Sequence, residues 1–248
     1  MTKVSVNILT KNRSQLLKLA LDSVNSQSFK DFQVWIVDDA SDDQHKKALE
    51  EFVSRSGPNL RMISHTEQMG ITYSRQQALM MSEGDYVAIL DDDDEWTDVD
   101  KLKKQVEFLD NHPDVVLVGG GINIVTGDKL QVTKFRPTED EQIRKTMLFR
   151  NNFFTSTVMF RRFAAIKVGG FVNDGVDLAE DYDLWLRMGK LGKMANFNEV
   201  FAKYRQPNYN KEKKSAFLGK QLGLINKQKK DYPYAFFANI LMKFRLFL

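Results

Sequence analysis

Residues 85–94 read Asp-Tyr-Val-Ala-Ile-Leu-Asp-Asp-Asp-Asp, and this stretch decides the fold class of the chain. Its five apolar residues, 86–90, have the length and composition of a strand buried on both faces, as in a parallel sheet. Four adjacent carboxylates follow, and their mutual repulsion destabilises the turn unless an opposite charge offsets it. Hard divalent cations such as Mg²⁺ and Mn²⁺ prefer oxygen ligands, so the turn is a candidate metal site.

The four carboxylates also have a simpler interpretation, as a solvated acidic turn before the next helix. The cluster taken alone does not separate the two interpretations, because short motifs also occur by chance. In open α/β sheets, ligands bind outside the carboxyl ends of the strands, which is where this turn is expected to lie. The predicted position of the turn and its chemistry therefore agree.

The chain before this stretch alternates strands and helices. Strands are predicted over 4–10, 32–37 and 60–64, and each is followed by a segment with the apolar spacing of a helix. We expect Ser14 to cap the first helix and Gly70 to precede the third. Strands that alternate with helices of about 10–15 residues indicate βαβ units and a parallel sheet.

The chain after residue 100 has a different organisation. Helices are predicted over 101–111 and 139–150, and residues 126–128 read as a turn between two antiparallel strands. Gly169-Gly170-Phe171 is expected to form a tight turn. The expected fold class is α/β, with a Rossmann-like, mainly parallel sheet, a small antiparallel part and a basic C-terminal helical tail.

Polar residues gather where the first two strands end, and they are candidates for binding a nucleotide. They read Thr-Lys-Asn-Arg over 10–13 and Asp-Asp-Ala-Ser-Asp over 38–42. Carboxylates there can accept hydrogen bonds from a base or ribose, and Arg13 or Arg75 can contact phosphate. Helix capping is the alternative role for Ser14 and Asp42.

The common glycine-rich phosphate loops are missing after the first strand. Neither a Walker A sequence nor a Gly-x-Gly-x-x-Gly run follows it, and the glycine cluster at 119–121 does not begin a helix. A bound nucleotide therefore needs a metal and side chains to hold its pyrophosphate.

A second acidic site reads Glu180-Asp181-Tyr182-Asp183. In the first turn of a helix, these carboxylates are stabilised by the helix macrodipole, which is a purely structural role. The functional alternative is a general base that deprotonates an attacking hydroxyl across a cleft from the metal. The residues alone leave the two interpretations open.

The composition limits the classes of site and places the charge unevenly. The 248 residues include no cysteine, which excludes disulfides and thiolate metal sites. Residues 203–248 hold 11 Lys/Arg against 2 Asp/Glu, a net charge of +9, whereas residues 1–202 carry −6. A basic tail on an acidic body predicts an anionic partner, and we expect a cytoplasmic protein bound peripherally to the inner face of the cell membrane.

The end of the tail has the pattern of an interfacial helix. Its apolar face consists of Tyr234, Phe237, Leu241, Phe244 and Leu248, and it is too short and too charged to span a bilayer. Packing on the catalytic domain or on a second subunit, as in a homodimer, is the alternative. Nucleic acid is not expected as a partner, because the lysines lack a recognisable binding module.

With these motifs in order, the chain resembles the inverting family 2 glycosyltransferases of the GT-A fold over residues 1–205. The motifs that carry the resemblance are Thr10-Lys11-Asn12-Arg13, Asp38-Asp39-Ala40-Ser41-Asp42, Gly70 with Arg75, Gly84 to Asp94, Gly169-Gly170-Phe171, Glu180 to Trp185 and Tyr204-Arg205. One departure is Pro207, which stands where the family often has a histidine.

The resemblance implies a role for each matching residue. Asp181 would be the catalytic base with Glu180 beside it, and Asp93 the metal ligand together with Asp91. Asp39 would contact the base of the nucleotide. The implied donor-binding set is Thr10, Asn12, Arg13, Asp38, Asp39, Gly70, Arg75, Asp91 and Asp92. The implied nucleotide-binding part spans about 1–110, the acceptor part about 111–205 and the tail 206–248.

The implied reaction moves a sugar from a nucleotide-diphosphate sugar, expected to be a UDP-sugar, to a hydroxyl of a glycan or polyprenyl-linked acceptor. The implied cofactor is Mn²⁺ or Mg²⁺, and the implied process is surface polysaccharide synthesis. A sugar-1-phosphate nucleotidyltransferase is one alternative, but it calls for a glycine-rich loop where residues 10–13 stand. A membrane-bound sugar-nucleotide binder without turnover is the other alternative.

Overall fold

The computed structural model describes residues 2–55, 59–126, 129–172, 178–205 and 211–247. The first half alternates strands and helices as predicted. Its elements are β1 (Val4–Thr10), α1 (Ser14–Asn25), β2 (Phe32–Asp38), α2 (Asp43–Arg55), β3 (Leu60–Ser64), α3 (Ile71–Met81) and β4 (Tyr86–Asp91).

The second half mixes short strands, two long strands and helices. Its elements are β5 (Glu95–Trp96), α4 (Lys101–Asn111), β6 (Val115–Thr126), β7 (Lys129–Lys134), α5 (Asp140–Met147), a 3₁₀ turn (Thr155–Thr157), β8 (Met159–Arg161), α6 (Arg162–Lys167), α7 (Glu180–Met188), β9 (Lys193–Arg205), α8 (Lys211–Gln228) and α9 (Ala235–Phe247).

Within the described residues, these strands form one sheet in the order β3-β2-β1-β4-β8-β6-β9-β5, with β7 paired to β6. The first four strands of that order are mutually parallel, and β8, β7 and β5 run antiparallel to their neighbours. The prediction of a mainly parallel sheet with a small antiparallel part is therefore confirmed. In the register, Thr10 pairs with Asp38 and Leu9 with Asp91, so the ends of β1, β2 and β4 meet at one edge.

Strand β4 is buried on both faces, as its apolar run predicts. Ala88 and Leu90 pack into a hydrophobic core that also contains residues of α1 and α4. Val87 and Ile89 pack into a second core on the opposite face, with residues of α6, α7, α8 and α9. Because successive side chains of a strand point to opposite faces, one apolar run supports both layers.

Two local predictions were wrong. Ser14 is the first residue of α1 and does not cap it; its hydroxyl lies 2.9 Å from Nδ1 of His45 instead. The helix predicted over 139–150 spans only Asp140–Met147, and the Arg144 side chain ties it to the carbonyls of Gly189 and Gly192 before β9. Asp42 does cap α2, since the backbone N–H of His45 donates to its carboxylate.

The glycine cluster at 119–121 lies inside β6 because neighbouring side chains leave no room for a Cβ atom. A Cβ on Gly119 would lie 2.4 Å from Asn196 Oδ1, and one on Gly120 would lie 2.4 Å from the ring of Phe201. The cluster therefore serves strand packing. The predicted turn at 169–170 is confirmed, with φ of 90° and 67° for the two glycines. Of the turn predicted at 126–128, residues 127 and 128 lie outside the described part.

The C-terminal helices pack on the body of the protein. Ile225, Tyr232 and Met242 are buried in the same core as Trp185, and the Tyr232 hydroxyl donates to the carbonyl of Leu186 at 2.9 Å. The other side of α9 faces outward. Its exposed apolar residues are Tyr234, Phe236, Phe237, Ile240 and Phe244.

Leu241 of the predicted apolar face is half-buried, and Leu248 lies outside the described residues. The predicted domain boundary at 205/206 coincides with the start of 206–210, which lie outside the described residues. Pro207 lies in the same range. Among the described helices, none has both the length and the hydropathy needed to cross a bilayer.

Candidate active site

The four carboxylates after β4 divide into two exposed and two buried groups. The side chains of Asp91 and Asp93 are 32% and 26% exposed. Asp92 and Asp94 are buried, and they bind groups from distant parts of the chain. The turn is therefore not a simple solvated cap, because two of its four carboxyl groups are buried in the protein.

Asp92 joins the acidic turn to the end of β1. The Thr10 hydroxyl donates to one of its carboxylate oxygens at 2.7 Å, and the Arg13 guanidinium donates to the other at 3.0 Å. The same Arg13 nitrogen contacts Asp93 at 2.9 Å. Burial raises the pKa of Asp92 to about 6, although Thr10 and Arg13 both favour its charged form. These residues, 82 positions apart, form one cluster.

Asp94 anchors the acidic turn to two other segments, a role that we did not predict. The Ser156 hydroxyl donates to one carboxylate oxygen at 2.5 Å, and the backbone N–H of Arg205 donates to the other at 3.0 Å. Burial, with the nearby charge of Asp91, raises the pKa of Asp94 to about 8. The Arg205 guanidinium also bonds to the Asp93 carbonyl and to Glu95, so the end of β9 closes over the turn.

Arg75 connects the two acidic sites. Its side chain is only 9% exposed and lies between the carboxylates of Asp91, at 2.9 Å, and Glu180, at 3.0 Å. Burial opposes the charge of Arg75, but the carboxylates of Asp91 and Glu180 outweigh it and raise the pKa of the guanidinium. In the described residues Arg75 is thus held by protein carboxylates, and its predicted contact with phosphate stays a prediction.

Asp181 has a different environment from Glu180. It accepts hydrogen bonds from the Thr155 hydroxyl at 2.5 Å, the Asn151 amide at 3.3 Å and the backbone N–H of Tyr182. All three donors are neutral, so the carboxylate is oriented without being paired to a cation among the described residues. A carboxylate without a cationic partner is compatible with the role of a general base.

The 3₁₀ turn at Thr155–Thr157 links the two acidic sites directly. Thr155 holds Asp181, and the next residue, Ser156, holds Asp94. Through this turn and through Arg75, the carboxylates at both motifs lie around the same part of the molecule. The acidic turn, which carries Asp93, and the start of α7, which carries Asp181, are therefore neighbouring segments.

The 3₁₀ turn is itself supported by buried side chains of β5 and α4. Trp96 Nε1 donates to the Ser156 carbonyl at 2.7 Å, and Gln105 Nε2 donates to the Thr157 carbonyl at 2.9 Å. The Lys101 ammonium donates to Gln105 Oε1 and lies 4.1 Å from the centre of the Trp96 ring. Burial lowers the pKa of Lys101. These contacts hold the turn at a fixed position relative to the sheet.

Asp39, a predicted nucleotide-binding residue directly after β2, is hydrogen-bonded to the segment before α3. Asp39 accepts hydrogen bonds from the N–H groups of Met69 and Gly70 at 2.7 and 3.0 Å, and lies 2.9 Å from His65 Nδ1. Burial opposes this charge, but the bonds from His65 and from the two backbone N–H groups lower the pKa of Asp39. Gly70 has φ of 89°, a conformation that glycine adopts readily, and it immediately precedes α3.

Asp38 and Asn12 lie beside this loop. The backbone N–H and hydroxyl of Ser41 both donate to Asp38 Oδ1. The N–H of Asn12 donates to the Ser41 hydroxyl, and its side-chain oxygen accepts from the N–H of Asp42. The segments at 10–13 and 38–42 are therefore joined, as their positions after β1 and β2 predict.

Four residues of this site were missed in the sequence. They are His65, Asn151, Thr155 and Ser156. His65 follows the third strand directly, so its position at a strand end was an available signal. The other three lie in a polar stretch before a short strand, and nothing in their spacing relates them to Asp94 or Asp181.

No three histidine, cysteine, aspartate or glutamate side chains in the described ranges converge as a complete metal site. The partly exposed carboxylates of Asp91 and Asp93 are the candidate ligands. Mg²⁺ is usually held by one or two carboxylates together with substrate phosphates, so a partial ligand set is compatible with a shared site.

Glu180→Gln is expected to change how the stability of the protein depends on pH. Burial raises the pKa of Glu180 to about 7, with Asp181 and Asp91 adding to the effect and Arg75 opposing it. The folded protein therefore keeps this proton to a higher pH than the unfolded chain, and the free energy of unfolding falls as pH rises from about 4.5 to 7. In the Glu180→Gln variant this contribution to the fall of the free energy of unfolding with pH is missing.

Urea unfolding at pH 5 and pH 8 measures the effect. The free energy of unfolding of Glu180→Gln, relative to the original protein, is expected to increase by about 1–3 kcal/mol between the two pH values. Glu83→Gln, at a largely exposed position, is the control. The prediction would be contradicted if the free energies of unfolding of Glu180→Gln and the original protein differed by the same amount at pH 5 and at pH 8.

Comparisons of the sequence identify one family and several relatives. Residues 5–169 match the model described as Glycosyl transferase family 2. The amylovoran biosynthesis glycosyltransferase AmsB of Erwinia amylovora is 33% identical over 198 residues, which cover 76% of this chain and 64% of AmsB. The putative teichuronic acid biosynthesis glycosyltransferase TuaG of Bacillus subtilis is 27% identical, over 98% of this chain and 97% of TuaG. The chain spans 58% of the length of uncharacterized mycobacterial relatives.

Solved structures share the fold. A mannosyltransferase from Pyrobaculum calidifontis, in complex with GDP-Man and Mn²⁺, has a TM-score of 0.71 at 20% identity, over 99% of this chain and 70% of that one. TarS 1–349 of S. aureus in complex with UDP has a TM-score of 0.69 at 21% identity, over 90% of this chain and 65% of that one. The predicted α/β fold of the GT-A type is therefore confirmed.

Proposed function

The chain belongs to glycosyl transferase family 2, and from that membership we propose that it transfers a sugar from a nucleotide-diphosphate sugar to a hydroxyl group with inversion. One observation carries the proposal. Asp181, a carboxylate held by neutral donors, is connected through Thr155 and Ser156 to the acidic turn after β4. A proton acceptor and a candidate site for the diphosphate thus border the same region.

The acidic turn fits a hard divalent cation by its donor chemistry. Burial and the negative charge of Asp91 together raise the pKa of Asp93, so an added cation would relieve an existing repulsion. The Mn²⁺ bound by the Pyrobaculum mannosyltransferase supports this proposal. Asp93 and Asp91 would hold the ion, which neutralises charge on the leaving diphosphate.

The remaining steps use side chains of the chain itself. Asp181 accepts the proton of the acceptor hydroxyl while the new bond to the anomeric carbon forms and the bond to the diphosphate breaks. Thr155 and Asn151 hold its carboxylate in place, and Glu180 positions Arg75 beside Asp91. A base on the face opposite the leaving group leads to inversion, by the logic that separates the two classes of glycosidase.

The nucleotide lies, in this proposal, at the joined ends of β1 and β2. Thr10, Asn12, Arg13, Asp38, Asp39, Gly70, Arg75, Asp91 and Asp92 are its proposed contacts. The UDP bound by TarS supports a nucleoside diphosphate donor, and we propose a UDP-sugar. AmsB and TuaG, which are named for polysaccharide biosynthesis, support a glycan or polyprenyl-linked acceptor in surface polysaccharide synthesis.

The experiment that tests this function is a panel of nucleotide sugars, assayed with Mn²⁺ or Mg²⁺ for release of the nucleoside diphosphate. NMR of the released sugar gives its anomeric configuration, and inversion is expected. Products from the sugar-1-phosphate and a nucleoside triphosphate would instead support the nucleotidyltransferase. Binding of a nucleotide sugar without turnover would favour the non-catalytic binder.

We propose that α9 attaches the protein to the anionic, cytoplasmic face of the cell membrane. Phe236, Phe237 and Phe244 are 72%, 62% and 61% exposed on its outer side. Lys243 and Arg245 are exposed on the same helix, and Lys227 on α8 and the following Lys229 and Lys230 are also exposed. Aromatic side chains with basic neighbours are typical of a helix that lies in a membrane interface.

Replacing Phe236, Phe237 and Phe244 together with serine is expected to lower the partition onto vesicles containing phosphatidylserine by about tenfold or more, because each buried phenylalanine contributes about 1.5–3 kcal/mol. Vesicle flotation measures this partition. Phe163→Ser on α6, at 61% exposure, is the matched control. Unchanged flotation of the triple variant, or loss of a dimer in its place, would reject membrane attachment through α9.

A further inference from the structure

Two arginines near the segment that holds the candidate base have no acidic partner among the described residues. The Arg136 guanidinium lies over the ring of Phe154, with its central carbon 4.5 Å from the ring centre. Its Nε atom is buried and has no hydrogen-bond partner in the described part of the chain. Arg150 is exposed, and its charge is close enough to disfavour that of Arg136.

This arrangement is costly unless an anion completes it. Burial, followed by the positive charge of Arg150, lowers the pKa of Arg136, and no carboxylate among the described residues offsets either effect. An unpaired charge in a partly buried position loses solvation without gaining an ion pair, and a second like charge adds repulsion. By contrast, Arg13 and Arg75 are each paired with two carboxylates.

The position of the pair relates it to Asp181. Arg150 immediately precedes Asn151, and Phe154 immediately precedes Thr155, and both Asn151 and Thr155 donate to the Asp181 carboxylate. The loop that carries Arg136, after β7, is tied to the same segment, because the side chain of Asn196 donates to the carbonyls of Pro137 and Asn152. The two arginines therefore lie on segments that border the one holding the Asp181 carboxylate.

We propose that Arg136 and Arg150 bind an oxyanion that is part of the acceptor, either a phosphate ester or the carboxylate of an acidic sugar. Guanidinium groups present paired N–H donors that match both anions, and Phe154 lies against one face of the Arg136 guanidinium. This inference rests on the proposed function, since it places the acceptor at Asp181. It narrows the acceptor to an anionic one.

A binding experiment on the full chain tests the proposal. With the donor site saturated by UDP and Mn²⁺, octyl phosphate, methyl glucuronide and the neutral methyl glucoside are titrated by calorimetry. At least one of the anions is expected to bind and the glucoside is not. The Arg136→Gln/Arg150→Gln double variant is expected to bind that anion about tenfold or more weakly, whereas Arg61→Gln, on the outer strand β3, is expected to leave its affinity unchanged.

The arms of the experiment distinguish the two sources of the anion. Binding of octyl phosphate alone supports a phosphate-linked acceptor, and binding of methyl glucuronide alone supports an acidic glycan. Arg136→Lys keeps the charge but not the paired donors, so it is expected to weaken binding as well. Thermal unfolding of each variant verifies that the fold is retained.

Three results would overturn the proposal. They are equal anion affinity of the double variant and the original protein, failure of the original protein to bind either anion, and anion binding that UDP displaces. The last result would assign the arginines to the donor. Donor hydrolysis is measured in parallel. If the original protein hydrolyses no nucleotide sugar, the proposed function fails, while the anion titrations still decide whether the arginine site exists.

Discussion

Asp181→Asn is expected to lower kcat by about 10²–10⁴-fold and to leave the affinity for the nucleoside diphosphate unchanged. The asparagine has the size of aspartate and can still accept the hydrogen bond that Thr155 donates. It cannot accept a proton from the acceptor hydroxyl. The change therefore removes the proposed general base while preserving the geometry around it.

Initial rates with a saturating nucleotide sugar measure kcat, and calorimetry with UDP and Mn²⁺ measures donor affinity. Glu180→Gln is the comparison variant, because Glu180 is adjacent in sequence but pairs with Arg75. We expect Glu180→Gln to affect the rate less than Asp181→Asn does. An Asp181→Asn enzyme with the original kcat, or the reverse order of the two variants, would reject Asp181 as the base.

Asp93→Asn is expected to lower kcat by about 10²–10³-fold, the usual effect of losing one preorganised electrostatic contact to the developing charge. The side chain of Asp93 is partly exposed, and Arg13 contacts it on one side. Replacing its charge leaves Asp91 as the remaining partly exposed carboxylate of the turn. The proposed divalent ion would then lose one of its two protein ligands.

The Mn²⁺ concentration needed for half-maximal UDP binding is the second measurement, and it does not depend on turnover. It is expected to rise in Asp93→Asn. Asp85→Asn provides the control, because Asp85 precedes the same strand at its opposite end and is exposed. If EDTA leaves activity intact and Asp93→Asn binds UDP with the original Mn²⁺ dependence, the acidic turn does not hold a metal.

Local patterns predicted the first half of the fold well. The apolar runs at 4–10 and 60–64 are strands with those bounds, and the helix predicted at 101–111 is α4. In each case the spacing of apolar residues within about ten positions settles the element, since burial on one or two faces follows from that spacing. The long strand β9 was not predicted, because its burial does not alternate regularly and its pairing with β6 has register shifts.

In the candidate site, too, some features follow from local sequence and others from the tertiary structure. The sequence by itself determined which carboxylates follow a strand, which ones begin a helix, and that the ends of neighbouring parallel strands would meet. Only the tertiary structure decided that Glu180 pairs with Arg75 and that Ser156 and Thr155 connect Asp94 to Asp181. It also decided that Arg136 lies over Phe154 with no acidic partner in the described part of the chain. Local spacing controls strands and helices, whereas contacts between residues up to 112 positions apart depend on the order in which the strands join the sheet. That order comes from the packing of the whole chain, and no short segment encodes it.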